Sequence, residues 1–239
     1  MATSYNNMAT VYNSQGRHEE ALVQHEKALE IRTRVFGSEH PDVADSYNNI
    51  GSLYATKGDL ENALLQLQRA LEIRTRVFGS EHPDVADSYN NIGSLYGMKG
   101  DLENALLQFQ RALEIHTRVF GSEHPSVADS YNNIAIVYKN QGKYEEALDY
   151  YHRSLDIKVR VVGQEHPDVA VSHMNIGNVY TDQGKYKEAL VELKKGLDVA
   201  VAVHGQEHPL VADSKHNLAC LRQRLVEERD RLHASAQRA

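Results

Sequence analysis

The five prolines of this chain, Pro41, Pro83, Pro125, Pro167 and Pro209, stand 42 residues apart, and each follows a histidine: His40, His82, His124, His166 and His208. Two glycine series keep the same interval, Gly16, Gly58, Gly100, Gly142, Gly184 and Gly37, Gly79, Gly121, Gly163, Gly205. Proline removes a backbone donor and glycine permits positive φ, so their fixed recurrence marks the turns of one structural unit copied along the chain. Residues 38–79 and 80–121 differ only at Ala55/Gly97, Thr56/Met98, Leu67/Phe109 and Arg74/His116, the mark of a recent duplication. Each unit is too small to bury its own apolar face, so the units must stack on one another.

Within a unit, Val43, Tyr47, Ile50 and Tyr54 are spaced 4, 3, 4, and Leu60, Leu64, Leu67 and Leu71 follow after Gly58. The spacing predicts two amphipathic helices, A and B, per unit. Pro41 suits the first turn of helix A, and Gly79 is expected to end helix B in the left-handed conformation, as Gly58 ends helix A. Asp59 and Asp101 can cap helix B, whereas Arg17, Lys143 and Lys185 at the same place cannot. Gly51, Gly93 and Gly177, with Ala9, Ala135 and Ala219 completing the row, predict a close approach of helix A to helix B, with Ala63 and Ala70 as the small counterparts. Glu30/Arg34, Glu72/Arg76, Glu114/Arg118 and Asp156/Arg160 are i,i+4 pairs on a solvated face, worth about 0.2–0.5 kcal/mol each.

Composition excludes several classes of function. The net charge is −7 and Lys and Arg alternate with acids, which is wrong for a phosphate-binding surface, so no nucleic acid is expected. No stretch reaches the roughly 18 apolar residues of a membrane span and no signal segment precedes the first helix, so the expected location is cytoplasmic, with no membrane partner. The single cysteine, Cys220, forms no internal disulfide and has no CxxC mate. No GxSxG, HExxH, P-loop or GxGxxG lies in a fitting context, so no catalytic residue, cofactor or enzymatic activity is expected. The histidines of the His-Pro steps recur at least one helix diameter, roughly 10 Å, apart, too far to share a metal whose ligands lie about 2 Å from it. They read as linker residues that order the loop before each proline.

Tyr47, Ile50, Gly51, Tyr54, Ala63, Leu67 and Ala70 follow the large-large-small-large, Ala-large-Ala pattern that resembles the tetratricopeptide repeat. The longer unit, HPDVADSYNNIGSLYATKGDLENALLQLQRALEIRTRVFG, resembles the repeats of kinesin light chains and of nephrocystin-3. The resemblance implies an all-α fold, a right-handed α-solenoid of antiparallel helix pairs. Its repeats would run over about 1–37, 43–79, 85–121, 127–163 and 169–205 of a single 1–239 array, with a capping helix at about 209–235. The polar tail from Arg222 to Ala239 suits a terminal helix that meets water and frays at its end. Met1 aligns with Val43, so the chain begins inside helix A, as a segment of a longer protein would.

In tetratricopeptide arrays the side of helix A opposite Tyr47, Ile50, Gly51 and Tyr54 lines a concave groove. The resemblance therefore places Asn6, Asn7, Asn48, Asn49, Ser52, Asn90, Asn91, Ser94, Asn132, Asn133, Asn175 and Asn178 along a groove that takes a protein or peptide ligand. Amides both donate and accept, so such a row can satisfy an extended backbone; in the fifth repeat Met174 interrupts it. Asp45, Asp87, Asp129 and Asp213 would add negative charge at one edge, with Lys139, Arg34, Arg76, Arg118 and Arg160 near the other. Asn6, Thr10, Asn48, Ser52, Asn90 and Ser94 stand where co-chaperone repeats clamp a terminal carboxylate with Lys and Arg, so no such clamp is expected. Kinesin light chains imply cargo peptides with an aromatic residue among acids. Tyr150 and Tyr151 read as packing between repeats. The competing reading is a homo-oligomer built through the N-terminal hairpin.

Overall fold

Each Gly-x-x-His-Pro linker both ends a helix and begins the next. In His40 the backbone is extended (φ −94°, ψ 143°) and the imidazole Nδ1 accepts the N–H of Asp42 at 3.1 Å, with Pro41 opening the helix. The same bond recurs at 3.2 Å from His82, His124, His166 and His208. These histidines are N-caps, a role usually taken by Ser, Thr, Asp or Asn, and an accepting Nδ1 places the ring proton on Nε2. His40 and His82 also stack on Phe36 and Phe78 with ring centres 4.4 Å apart, which fixes the loop.

The computed structural model of the chain describes residues 1–236, with side chains through residue 227. Among them are eleven α-helices and no strand: α1 (Ala2–Ser14), α2 (His18–Phe36), α3 (Pro41–Thr56), α4 (Leu60–Phe78), α5 (Pro83–Met98), α6 (Leu102–Phe120), α7 (Pro125–Asn140), α8 (Tyr144–Val162), α9 (Pro167–Asp182), α10 (Tyr186–His204) and α11 (Pro209–Ala236). The polar tail side chains beyond residue 227, and the fraying expected of the last residues, lie outside the described residues. Short turns join α1–α2, α3–α4, α5–α6, α7–α8 and α9–α10 into antiparallel hairpins, and within each compact unit consecutive hairpins pack in order, the arrangement of a tetratricopeptide solenoid. The chain divides into two compact units, Met1–Gly121 and Ser122–Ala239.

The two glycines of a repeat work differently. Gly58 (φ +81°) donates to Ala55 O at 3.0 Å while Asp59 N reaches Tyr54 O at 2.9 Å, the paired bonds of a Schellman stop. Gly79, expected in the left-handed helical region, instead has φ 87° and ψ 161°. That region is open essentially to glycine alone and straightens the chain into the linker. Asp59 and Asp101 do cap helix B, accepting from Asn62 N and Asn104 N at 3.2 Å, while Arg17, Lys143 and Lys185 make no such bond.

In the first unit, Val43, Ala44, Ala70 and Ile73 form one buried cluster against Leu29, and Ala63, Leu67, Ile92 and Leu95 form another between α4 and α5. In the second, Ala135, Tyr151, Val169 and Ile176 join α7, α8 and α9, and Met174, Leu193, Leu218 and Leu221 seat α11 on α9 and α10. Burying each of the Val, Leu, Ile and Met side chains among them contributes about 1.5–3 kcal/mol. The close approach at Gly51 is present, but its counterpart is not Ala63 or Ala70 as a small side chain. A Cβ on Gly51 would lie 2.9 Å from Leu67 Cγ and 3.2 Å from the carbonyl of Ala63, so the glycine makes room for the large side chain of helix B.

Candidate functional site

The asparagines of helix A are half-buried, apart from the exposed Asn7, and they bond to one another. Asn49 Nδ2 donates to Asn6 Oδ1 at 3.0 Å, Asn91 to Asn48 at 2.8 Å and Asn175 to Asn132 at 3.2 Å. Each bond joins the second asparagine of one repeat to the first of the repeat before it. Such a bond uses one donor and one acceptor of two amides that offer two of each, so the remainder of each amide is open to another partner. Asn90 Oδ1 is buried with no hydrogen-bond partner.

Of the first-unit residues, Asn6, Asn49, Asn91, Ser52 and Ser94 line two small hollows, whereas Asn7, Asn48 and Asn90 line neither. One, of about 180 Å³, is lined by Asn6, Thr10, Asn13, His25, Asn49 and Ser52 among others. The second, of about 160 Å³, is lined by Ser52, Asn91, Ser94, Leu95 and Met98 among others. Ser52 and Ser94 are exposed beside them. In the second unit Asn133 and Asn178 are half-buried near the Asn132–Asn175 pair, while Met174 leaves the polar row for the core and is 7% exposed.

The charges expected along the edges are mostly spent. Asp45 pairs with Arg74 at 2.7 Å and Asp129 with Lys158 at 3.4 Å, and Asp87 lies 3.8 Å from His116. Arg76 bridges Glu72 and the linker residue Glu39, both at 2.6 Å; Arg118 likewise bridges Glu114 and Glu81. Arg160 departs from its expected i,i+4 pair with Asp156. The shorter aspartate offers only its backbone carbonyl, at 3.1 Å, and the guanidinium pairs with Glu123 at 2.8 Å.

Three features escaped the sequence reading. The first is a clasp between repeats: Arg74, 11% exposed, donates to Asp45 at 2.7 Å in its own repeat and to Ser88 Oγ at 2.8 Å and Asp84 O at 3.3 Å in the next. Arg32 makes the same bonds to Ser46 (2.8 Å) and Asp42 O (3.0 Å). The signal was there, a basic residue at 32, 74, 116 and 158, but its three partners lie on separate elements. The second is a change in the fifth repeat. In the first four, a tyrosine of helix A carries a cation over its ring: Tyr5–Lys27, Tyr47–Arg69, Tyr89–Arg111 and Tyr131–Arg153, at 5.5–5.9 Å. In the fifth the pair is His173 and Lys195, and both turn to Glu192 at 2.7 Å. Burial pushes the Glu192 carboxyl up, yet the hydrogen bonds from His173 and Lys195 outweigh it and hold the pKa at about 2.

The third is His25, 6% exposed, whose Nδ1 is buried without a partner. Burial, with nearby Arg32, lowers its pKa below the usual histidine value. Tyr151 is a core residue, 2% exposed, whose phenol burial pushes up to about 12. Tyr150 stacks on Tyr138 at 5.4 Å and lies 5.8 Å from Tyr131 in its own hairpin, and it packs against the cluster that holds Tyr151 with Val169 and Ile176 of the next repeat. Among the described residues no cluster of three or more His, Cys, Asp or Glu is arranged to hold a metal ion, and no helix is long and apolar enough to cross a membrane.

Comparison with known proteins follows the same lines. The tetratricopeptide repeat family model matches residues 1–76, 66–116, 100–160, 126–200 and 168–229. No curated protein sequence matches the chain. Among solved structures, a kinesin light chain candidate of Podosopora anserina with nearly identical TPR-like repeats is 24% identical, with TM-score 0.71, covering 84% of this chain and 96% of that one. BtubC (BKLC) from P. vanneervenii is 25% identical, with TM-score 0.72, over 84% of this chain and 80% of that one. The apo form of RapI shares the fold at 18% identity and TM-score 0.70, over 92% of this chain and 83% of that one. With the family pattern running from the first hairpin into α11, and the helices paired as that pattern requires, the chain belongs to the tetratricopeptide repeat family.

Proposed function

We propose that the chain is a protein-interaction scaffold and that the asparagine-bearing face of helix A holds an extended peptide segment. The observation that carries this reading is the row of half-buried amides, each left with unused donors and acceptors after its bond to the neighbouring repeat. The bonds between repeats account for part of each amide, and on a solvated face Glu and Lys are better helix formers, so the remaining donors and acceptors support a ligand-binding role. The similar Podosopora structure is named for a kinesin light chain, and the scaffold reading agrees with that likeness. The test selects binders from a random peptide library with the intact chain and repeats the measurement with Ser52→Arg and Ser94→Arg, which block the exposed rim of both hollows. The expected result is at least a tenfold loss of affinity with helicity unchanged; selected peptides that bind the blocked protein equally well would sink the proposal.

One observation favours self-association as a second reading. Met8 and Val11 on α1 are 44% and 54% exposed, whereas their counterparts Ile50 and Leu53 are 4% and 2% exposed under a preceding hairpin. A face of this kind accepts another hairpin. Light scattering over a concentration series separates the readings: a strict monomer removes the second.

A further inference from the structure

A hollow of the second unit lies between α8 and α10 with α9 as its floor, and no helix-A asparagine lines it. Its volume is about 640 Å³, within the range of sites that enclose small ligands or side chains. Leu155, Val159, Val169 and Val199 supply apolar walls. The opening follows from the fifth repeat's departure from the pattern of the other four. Where Tyr89 carries Arg111 over its ring, His173 is smaller and swings to Glu192, and Lys195 follows it.

The charges around this hollow are unequal. Its two cations are committed, Arg160 to Glu123 at 2.8 Å and Lys195 to Glu192 at 2.7 Å. Its two aspartates, Asp156 and Asp198, are exposed, and among the described residues neither carboxylate has an ion pair or hydrogen bond. Both vacancies have a sequence cause. Asp156 is one methylene shorter than Glu72 and Glu114 and misses its arginine; Asp198 has Ala202 where the other repeats have Arg34, Arg76, Arg118 and Arg160. Two unpaired carboxylates therefore stand on opposite walls of an apolar cleft.

We propose that the cleft between α8 and α10 binds a partner peptide in which an apolar side chain is flanked by Lys or Arg, the side chain filling the hollow and the cations pairing with Asp156 and Asp198. An acidic flank meets repulsion from both walls, because the cleft's own cations are neutralised by Glu123 and Glu192. The site is independent of the asparagine face and can stand or fall without it.

The test uses the full chain and three fluorescein-labelled heptapeptides, Gly-Ser-Lys-Phe-Lys-Ser-Gly, its Glu-Phe-Glu analogue and its Lys-Ala-Lys analogue, titrated by anisotropy at low and high salt. The Lys-Phe-Lys peptide is expected to bind at least tenfold more tightly than either analogue, with affinity falling as salt rises. Asp156→Lys with Asp198→Lys, both on exposed positions and checked by circular dichroism, is expected to reverse the preference toward Glu-Phe-Glu. The Ser52→Arg, Ser94→Arg protein should bind Lys-Phe-Lys as the parent does. The proposal is overturned by the absence of saturable binding up to millimolar peptide, by affinity unchanged in the doubly reversed protein, or by loss of binding in the helix-A variant. Concentration-dependent dimers that the charge reversal dissolves would assign the cleft to a second copy of the chain and equally overturn it.

Discussion

Arg74 shows how much one side chain can hold in a repeat protein. Its guanidinium is nearly buried, satisfies Ser88 and a backbone carbonyl of the next hairpin, and is neutralised by Asp45 of its own. Removing one member of such a group leaves buried polar atoms unpaired, so Arg74→Ala is expected to cost about 2–3 kcal/mol, read as a lower urea midpoint. The exposed Arg76 in the same helix should cost less than about 1 kcal/mol when replaced by Ala, because its two glutamates are solvated. His25 predicts the opposite sign. Its Nδ1 is sealed without a partner, so His25→Phe, a flat ring that resembles the Tyr151 packed against Ala135, is expected to stabilise the fold by about 1 kcal/mol. The pH dependence follows from the same burial. The lowered pKa means that, as pH falls below about 6.5, the unfolded chain takes a proton at His25 before the folded chain does. Stability is therefore lost on acidification from that point, and thermal melts between pH 7.5 and 5 should show a shallower decline in the Phe variant than in the parent.

At the scale of the helix pair, packing overrides propensity. Gly177 sits mid-helix, where alanine is intrinsically better by about 0.5–1 kcal/mol, yet a Cβ there would lie 2.7 Å from Leu193 Cγ and 3.1 Å from Leu193 N. Overpacking of this kind costs about 1–3 kcal/mol, so Gly177→Ala is expected to lower the melting temperature rather than raise it. The helices themselves were legible in the sequence, because Pro41, Gly58 and Gly79 punctuate each repeat and the apolar spacing between them is helical. The stops and starts were legible only in part. That Asp59 caps could be read from its type, but a capping imidazole at His40 could not, since it depends on the ring turning Nδ1 to Asp42 N. The asparagine row was legible as a row. Its bonds from Asn49 to Asn6 were not, because they join residues 43 apart where the repeat is 42, and the extra residue is a matter of how the hairpins lean.

For the molecule as a whole, stability in a repeat array is close to a sum of units and joints. The joints are not alike. Arg32 and Arg74 clasp the hairpins of the first unit, while the same position of the fifth repeat is Ala200, so α11 is held there without an arginine, by apolar contacts and the bond from Ser214 Oγ to Met174 Sδ at 2.8 Å. Native-state hydrogen exchange should find the amides of α3 and α5 the most protected and those of α11 exchanging first, and the reverse order would contradict this account of the joints. The cleft of the fifth repeat was also half-visible beforehand. His173 and Glu192 depart from the other repeats together, a signal that something differs there, but only coordinates show that both side chains converge with Lys195 beside the hollow.

The amide stitches from Asn49 to Asn6 and from Asn91 to Asn48 run head to tail: the second repeat carries a donor for the neighbour before it and an acceptor for the neighbour after it. A further copy of the 42-residue segment spliced in at Pro41 or Pro83 would therefore arrive with both ends of its fastening already in place. Lengthening by duplication asks for no new surface, and the near-twins 38–79 and 80–121 are what such growth leaves in a sequence before the copies drift apart.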